Sequence, residues 1–238
     1  MEDEVMKKLL AATLTFMMLA PTSVQAQGKM VNVVTKIGKN TVTYNKDGLL
    51  TGNGNINIKY KNGKISSLTN IEGTFHITYR NGRVDTVNKH KVKVAYKSMK
   101  YYDENMKSRT SPKGTLYTFG QSKTFGQDAA YLFNKKGQLL VSRLAFTDSY
   151  YCYDAKGYMV KGSEFDLTTG VGPNVFTSKN TYKGSVLVSR VVKGVYDSEY
   201  TNHDKITYKK IRVKDVKTVK KQQRLLLLNN GDSLAYIF

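Results

Sequence analysis

The sequence has very few of the residues that cross-link a fold or bind a metal. Its 238 residues include one cysteine, three histidines, three prolines and no tryptophan. A single cysteine, Cys152, cannot form a disulfide within the chain, so a packed core has to hold the fold. The histidines form no His-x-x-His pair, and no cysteine pair stands at zinc spacing. We therefore predict no metal site and no cofactor.

Cys152 is also the only thiol nucleophile that the chain offers. A thiol hydrolase sets its cysteine in contact with a histidine, usually at the beginning of a helix. Cys152 instead lies among three tyrosines in residues 150–153, a run with the composition of a strand. We interpret it as a small buried residue, predict no catalytic residue, and expect that the protein is not an enzyme.

Acidic residues are scarce as well. The chain has 18 acidic against 38 basic residues, a net charge of +20. Without residues 1–26, which contain two lysines and three acidic residues, the net charge is +21. Such a field favours anionic partners and makes their association salt-dependent. The alternative is that the lysines only cover exposed faces and keep sheet edges from aggregating.

The first 26 residues have the order of a signal peptide. A short basic region at residues 6–8 precedes a mostly apolar run at residues 9–20 and a small-x-small cleavage site that ends at Ala26. Three acidic residues before Met6 are unusual there, so Met6 is an alternative start. No other stretch approaches the roughly 20 apolar residues of a membrane-spanning helix. We expect export to the periplasm, the outer-membrane surface or the extracellular space.

One short pattern organises the rest of the chain. An aromatic residue precedes an Asn-Gly or Asp-Gly turn, and an aliphatic residue follows it, in residues 44–49, 60–65 and 79–84. Related copies lie at residues 133–139 and 153–159. Asn and Gly tolerate the positive φ of tight hairpin loops, and the flanking runs alternate apolar and polar residues. Each aromatic residue is expected to pack across its hairpin on the aliphatic one.

The sequence therefore predicts an all-β fold, an antiparallel meander of consecutive β-hairpins in a stacked or partly rolled sheet. Residues 89–96 alternate as one further strand, and residues 101–106 form a fourth turn with Asn105 in the place of glycine. Residues 213–228 could form a short basic helix. The turn residues at 229–232, followed by an alternating run at 233–238, favour a closing hairpin instead.

Residues 107–127 are the least regular part of the chain and are interpreted as a long loop with one strand. The predicted organisation is a signal peptide at 1–26, a hairpin half at 27–106, this boundary at 107–127 and a second hairpin half at 128–238. Whether the halves are one domain or two stays open.

Two of the turn units resemble a known repeat. Residues 153–159, Tyr-Asp-Ala-Lys-Gly-Tyr-Met, and residues 133–139, Phe-Asn-Lys-Lys-Gly-Gln-Leu, resemble the Tyr-Asp-x-x-Gly-x-Leu core of YD (RHS-type) repeats. The Arg and Thr that follow in YD repeats are missing here. With its apparent signal peptide, the chain is similar to exported hairpin-repeat proteins of unknown function from Gram-negative bacteria. The resemblance implies stacked hairpins and carries over no catalytic residue.

Basic and aromatic residues alternate in residues 89–102 and 208–224. A positive sheet face with aromatic rings can hold an anionic polymer through charge and stacking. The candidate anion-binding residues are Lys91, Lys93, Lys97, Lys100, Lys209, Lys210 and Arg212. For an exported protein we expect an acidic glycan, lipopolysaccharide or another cell-surface polyanion rather than a nucleic acid. The sequence does not indicate an oligomeric state.

The predicted function is that of an exported, non-enzymatic interaction or surface-associated protein. One alternative is a secreted hydrolase acting on polysaccharide, for which Glu164 and Asp166 are one conceivable acid pair. The other is a small outer-membrane β-barrel, because Leu234, Tyr236 and Phe238 alternate at the end of the chain as in a closing barrel strand.

Overall fold

The computed structural model describes residues 28–120, 128–144, 147–166, 173–196, 198–228 and 233–238. The predicted signal peptide lies outside these described residues. Within them the chain forms twenty strands, one α-helix and a final 3-10 helix.

The strands fall into three groups along the chain. The first nine are β1 (Lys29–Ile37), β2 (Asn40–Thr41), β3 (Thr43–Tyr44), β4 (Leu50–Gly52), β5 (Asn57–Lys61), β6 (Lys64–Asn70), β7 (Gly73–Arg80), β8 (Arg83–Val87) and β9 (His90–Lys91). Then follow β10 (Lys93–Lys97), β11 (Lys100–Tyr102), β12 (Ser108–Thr110) and β13 (Gly114–Gly120). The last are β14 (Asp128–Phe133), β15 (Leu139–Leu144), β16 (Thr147–Tyr153), β17 (Met159–Asp166), β18 (Asn174–Lys183), β19 (Val186–Tyr196) and β20 (Ser198–Val213). Helix α1 (Val216–Leu226) and the 3-10 helix η1 (Ser233–Ile237) end the described chain.

Two large sheets contain most of these strands. The eleven-stranded sheet has the order β10-β13-β14-β15-β16-β17-β18-β19-β20-β1-β2, and the seven-stranded sheet runs from β3 to β9 in chain order. Most neighbours are joined directly by a turn and pair antiparallel. The predicted all-β meander of consecutive hairpins is therefore confirmed.

Two buried valines mark the places where the chain passes from one sheet to the other. Val42 lies between β2 and β3, and Val92 lies between β9 and β10. The amide of Val42 donates to the backbone carbonyl of Thr35 at 2.9 Å, and the amide of Val92 donates to the backbone carbonyl of Asp85 at 2.9 Å. The run at 89–96 was expected to be one strand, and that prediction is wrong. It is two short strands, because the pairing partner changes where Val92 enters the core.

Strand pairing also crosses the predicted boundary at residues 107–127. β1 pairs with β20, which lies at the other end of the chain, and β10 pairs with β13. The prediction of a long loop with one strand at residues 107–127 is wrong, because β12 and β13 both lie there, and β13 has a neighbour on each side in the large sheet. The division into two halves stays a prediction.

Six hairpins share one irregularity beside their aromatic residue. In the hairpin of β5 and β6, Tyr60 pairs with Ile65 while Lys59 pairs with Ser67, so Ser66 is an extra residue in a β-bulge. The same shift accompanies the pairs Tyr44–Leu50, Tyr79–Val84, Phe133–Leu139, Tyr153–Met159 and Tyr182–Leu187. A bulge increases the local twist, so the repeated unit bends each hairpin in the same way. The predicted aromatic–aliphatic pairing is confirmed, except that Tyr44 pairs with Leu50 rather than Leu49.

Two tyrosine hydroxyls of these units tie their hairpin to the strand before it. The Tyr60 hydroxyl donates to the Leu50 carbonyl at 2.6 Å, and the Tyr153 hydroxyl donates to the Leu139 carbonyl at 2.6 Å. Each acceptor belongs to the aliphatic residue that follows the preceding turn. The repeated tyrosine therefore has a structural role that requires no ligand.

Two kinds of turn recur among the hairpins. Residues 62–63 and 81–82 are two-residue Asn-Gly loops in which all four residues have positive φ, as the sequence predicts. The other kind begins with a side chain whose Oδ1 accepts the amide four residues later. These starting residues are Asn45, Asp103, Asn134 and Asp154. In the turn from Asp103, Met106 has a φ of +59° and occupies the glycine position, so the prediction that Asn105 does so is wrong.

The end of the chain departs from the predicted closing hairpin. Helix α1 begins after Asp215, whose carboxylate accepts the Thr218 amide at 2.9 Å, and all five residues of η1 are buried. The basic helix that the sequence left as an alternative is therefore present, and the closing hairpin is wrong. Four successive leucines at residues 225–228 are all buried. A strand that is exposed on one face could not bury all of them, because its side chains alternate between faces. The turn predicted at 229–232 lies outside the described residues.

The core surrounds this C-terminal segment, residues 216–228 and 233–238. One buried cluster joins Leu50 and Leu68 of the seven-stranded sheet, Tyr131 and Leu187 of the eleven-stranded sheet, and Leu234 of η1. Each such side chain is almost completely buried. Burial of one leucine contributes roughly 1.5–3 kcal/mol, so the segment is a large part of what unites the two sheets.

Candidate functional site

The predicted anion-binding residues lie in separate parts of the fold. Lys91 is on β9, Lys93 and Lys97 are on β10, Lys100 is on β11, and Lys209, Lys210 and Arg212 are on β20. Seven strands lie between β10 and β20 in the order of the large sheet. Strand pairing therefore does not join the two main groups into one face. Lys91 forms an ion pair with Asp85, and within the described residues none of the other six has such a pair.

β10 is the most exposed of these elements. It is an edge strand of the eleven-stranded sheet, and all five of its residues are exposed. Val94 is 50% exposed and Tyr96 is 58% exposed, which is unusual for an apolar and an aromatic side chain in a strand. Lys93 and Lys97 stand at the two ends, where their charges oppose pairing with a second copy of the same edge.

Cys152 lies on β16 and is exposed, so the prediction that it is buried is wrong. It lines a shallow cleft of about 620 Å³ with Tyr101, Asp154 and Arg224, and no histidine is among the lining residues. Desolvation by its surroundings raises the pKa of the thiol, which keeps it protonated at neutral pH. The charge of Lys161 acts to lower this pKa, but the effect of desolvation is larger.

The acid pair of the hydrolase alternative lies on β17. Glu164 and Asp166 are two residues apart, so they share a face of that strand, and Asp166 is exposed. Neither residue lines the clefts of this fold that are named in this section.

A different carboxylate, that of Glu104, bonds to Lys161 at 2.7 Å and accepts from the Tyr150 hydroxyl. These bonds lower its pKa to about 2. That carboxylate is ionised at neutral pH. It attaches the turn between β11 and β12, which pair as a separate two-stranded sheet, to the large sheet.

A cleft that the sequence did not predict opens where both sheets meet the C-terminal segment. Its volume is about 570 Å³, and its walls come from the β5–β8 hairpins, from β10 and β13, from α1, and from the end of η1 with Phe238. Lys64, Arg83 and Lys221 line it, and no aspartate or glutamate is among the lining residues. We call it the cationic cleft.

Aromatic rings support two of its three cations. The Nζ of Lys221 lies 4.2 Å from the centroid of the Phe133 ring, and the Nζ of Lys64 lies 5.1 Å from that of Tyr79. Lys221 is the more enclosed of the two. Its pKa is lowered from 10.5 to about 8, mainly by desolvation and to a smaller extent by repulsion from Lys217. A bound anion would oppose both effects and stabilise the protonated amine.

The floor of the cationic cleft is fixed by a closed ring of hydrogen bonds. Gln222 of α1 accepts the Leu50 amide at 3.0 Å through Oε1, and its Nε2 donates to the Tyr60 hydroxyl at 2.9 Å. The Tyr60 hydroxyl in turn donates to the carbonyl of Leu50 at 2.6 Å. Burial raises the pKa of Tyr60 well above its usual value, which keeps the hydroxyl neutral.

The neighbouring glutamine repeats this ring one hairpin away. Gln223 accepts the Val34 amide at 2.6 Å and donates to the Tyr44 hydroxyl at 2.9 Å, and Tyr44 donates to the Val34 carbonyl. The two adjacent glutamines thus attach α1 to two strands with the same chemistry. Sequence reasoning missed both residues. The one available indication was that Tyr44 and Tyr60 occupy equivalent positions in their repeats.

The described part of the chain was also compared with the requirements of a metal site and of a membrane-spanning helix. Within the described ranges, no three His, Cys, Asp or Glu side chains gather as they would around a metal ion. No helix there is long and apolar enough to cross a bilayer. Comparison with models of known protein families gave no match, and comparison with curated proteins found no similar one. The resemblance to YD repeats therefore stays a prediction.

Proposed function

We propose that the protein is a non-enzymatic, exported binding protein that holds an anionic polymer on its exposed basic strands. The observation that carries this proposal is β10, an edge strand whose two lysines have no ion-pair partner among the described residues. Tyr96 is also exposed, but it lies on the opposite face from the two lysines, because successive side chains of a strand alternate. The proposal therefore rests on charge attraction between the lysines and the anionic groups of the polymer.

The spacing of β10 suits an extended polymer. Lys93 and Lys97 are four residues apart, about 13 Å along a strand, and point to the same face. Lys209, Lys210 and Arg212 on β20 form a second exposed basic group. We infer that a polymer long enough to reach both groups binds more tightly than a short one. For an exported protein the chemical class is an acidic glycan or lipopolysaccharide.

A polyuronate such as polygalacturonate tests this proposal with a matched control. We expect calorimetric titration of the full chain to show binding that weakens steeply from about 50 mM to about 200 mM salt. The double change Lys93→Gln and Lys97→Gln should weaken binding about tenfold or more, since each lysine near an anionic surface contributes about 1 kcal/mol. The control is Lys179→Gln with Lys183→Gln, two exposed lysines of β18 at the same spacing.

Two results would overturn the proposal. Absence of binding at low salt would remove the polyanion function altogether. An equal loss in the β10 and β18 variants would assign binding to net charge and not to β10. A selective loss in the β10 variant supports the proposal.

A further inference from the structure

The cationic cleft has a composition that its role in the core does not require. It places three cations around about 570 Å³ of open space, and no aspartate or glutamate is among its lining residues. Lys217 and Lys220 on the same helix are exposed and solvated, whereas Lys221 turns inward over the Phe133 ring. An apolar side chain at residue 221 would cover that ring without the desolvation cost of an ammonium group.

The other walls of the cleft are mostly apolar or aromatic, with Thr115, Thr218 and Gln222 as polar residues among them. Ile65, Val84 and Leu225 line it together with Tyr117, whose ring stacks on Phe238 at 4.6 Å. Ligand sites of small molecules commonly combine mostly apolar walls with a few polar groups that fix one end of the ligand. The volume and the composition both match that description.

The tyrosine hydroxyls of the cleft do not supply a negative charge. Tyr60 is held in its hydrogen-bonded ring, and burial raises the pKa values of Tyr79 and Tyr117. These groups stay neutral near physiological pH. The positive charge of Lys64, Arg83 and Lys221 is therefore balanced neither by these hydroxyls nor by an aspartate or glutamate lining the cleft.

From this arrangement we propose that the cationic cleft binds a small organic anion, with its apolar body against Leu225 and Tyr117 and its carboxylate, sulfate or phosphate group at Lys221. The inference uses none of the residues assigned to polymer binding. It holds or fails independently of the polyanion function.

Two matched probes test this proposal on the full chain. Naphthalene-2-sulfonate carries an apolar body and one negative charge, and naphthalene-2-sulfonamide has nearly the same shape and is neutral at pH 7. By calorimetry we expect the sulfonate to bind at least about tenfold more tightly, which is the preference that one charge-assisted contact gives. Naphthalene-2-carboxylate should behave like the sulfonate, and inorganic sulfate, which lacks the apolar body, should bind much more weakly.

Variants on one helix locate the site. Lys221→Met should reduce the preference for the sulfonate over the sulfonamide to about twofold or less, because the neutral side chain keeps only the apolar contact. The control Lys220→Met removes the same charge from the exposed neighbour and should leave the preference unchanged. Circular dichroism establishes that each variant is folded. Should Lys221→Met fail to fold, Lys64→Met and Arg83→Met test the same site. Each should reduce the preference for the sulfonate, because each removes a cation that lines the cleft.

Three outcomes would overturn the proposal. The sulfonamide could bind as tightly as the sulfonate, or inorganic sulfate could bind as tightly as the naphthalene anion. The third is an equal effect of Lys220→Met and Lys221→Met, which would assign the preference to the general field of the protein.

Discussion

The hairpins and the C-terminal segment of this protein are held in opposite ways. Hairpin contacts are local: the Tyr60 hydroxyl reaches a carbonyl 10 residues away, and that of Tyr153 reaches one 14 residues away. The C-terminal segment depends on distant partners, since Gln222 accepts an amide 172 residues away and Gln223 accepts one 189 residues away. Local contacts thus define the shape of the sheets, and the segment provides their common interior. We expect damage to one hairpin to have a small effect and damage to the segment to affect the whole fold.

The largest expected difference follows from truncation inside the segment. Leu234 of η1 is completely buried, so Leu234→Ala should lower the free energy of unfolding by about 2–5 kcal/mol through lost burial and a cavity. Ile71→Ala is the matched change on a hairpin turn, where the side chain is fully exposed, and should cost less than about 0.5 kcal/mol. Urea unfolding measures both. Similar losses in the two variants would contradict the central position of the segment.

The glutamine rings give the next largest effect. Gln222→Ala leaves the buried Leu50 amide without its acceptor, which should cost about 1–3 kcal/mol. Tyr60→Phe interrupts the same ring, so we expect the double variant to lose clearly less than the sum of the two single losses. Urea unfolding of the four proteins in this cycle gives the coupling. Strict additivity would show that Gln222 and Tyr60 act separately.

The cationic cleft predicts a pH dependence of stability. The pKa of Lys221 is about 8 in the folded chain and 10.5 in its ordinary state, so the unfolded chain binds more protons between these values. Stability contributed at this position therefore rises as pH increases from about 8 towards 10. Relative to Lys221→Met, the wild-type protein should gain on the order of 1–2 kcal/mol over that range. If the difference in free energy of unfolding between the two proteins stayed constant from pH 7 to pH 10, the side chain of Lys221 would be solvated in the folded protein, which contradicts the prediction.

The smallest expected effect concerns one turn. Met106 has a φ of +59°. The same position in three related turns is occupied by Gly48, Gly137 and Gly157, each with a positive φ. Met106→Gly should stabilise the protein by up to about 1 kcal/mol, because relief of the left-handed conformation outweighs the entropy cost of glycine. Gly137→Ala makes the reverse change and should destabilise it by about 1 kcal/mol. Thermal unfolding compares them, and a destabilised Met106→Gly protein would show that the Met106 side chain contributes packing that outweighs the strain.

The same contrast decides how much the sequence could predict. The hairpins were predictable because turn chemistry and two-residue alternation act over a few residues, as at Asn62 and Asn81. Helix α1 and η1 were not, because the apolar runs at residues 225–228 and 234–238 have the same appearance as fully buried strands. Cys152 was misjudged for a related reason: a tyrosine-rich strand does not reveal which of its faces is covered.

The candidate sites differ in the same way. Exposed lysines on β10 and β20 could be found from alternation alone. The cationic cleft could not, because Lys64, Arg83 and Lys221 meet only when two sheets close around a helix from the other end of the chain. The pairing of Gln222 with Leu50 likewise requires knowledge of where the helix lies.

Hydrogen exchange at two amides tests the central position of the C-terminal segment most directly. The amides of Val34 and Leu50 donate to Gln223 and Gln222, so their protection depends on α1 lying inside the sheets. We expect both to exchange as slowly as the most protected core amides, through unfolding of the whole chain. Gln222→Ala should accelerate exchange at Leu50 while Val34 stays protected. Rapid exchange of both amides in the wild-type protein, at the rate of exposed turn amides, would contradict the position of the helix and the cationic cleft beside it.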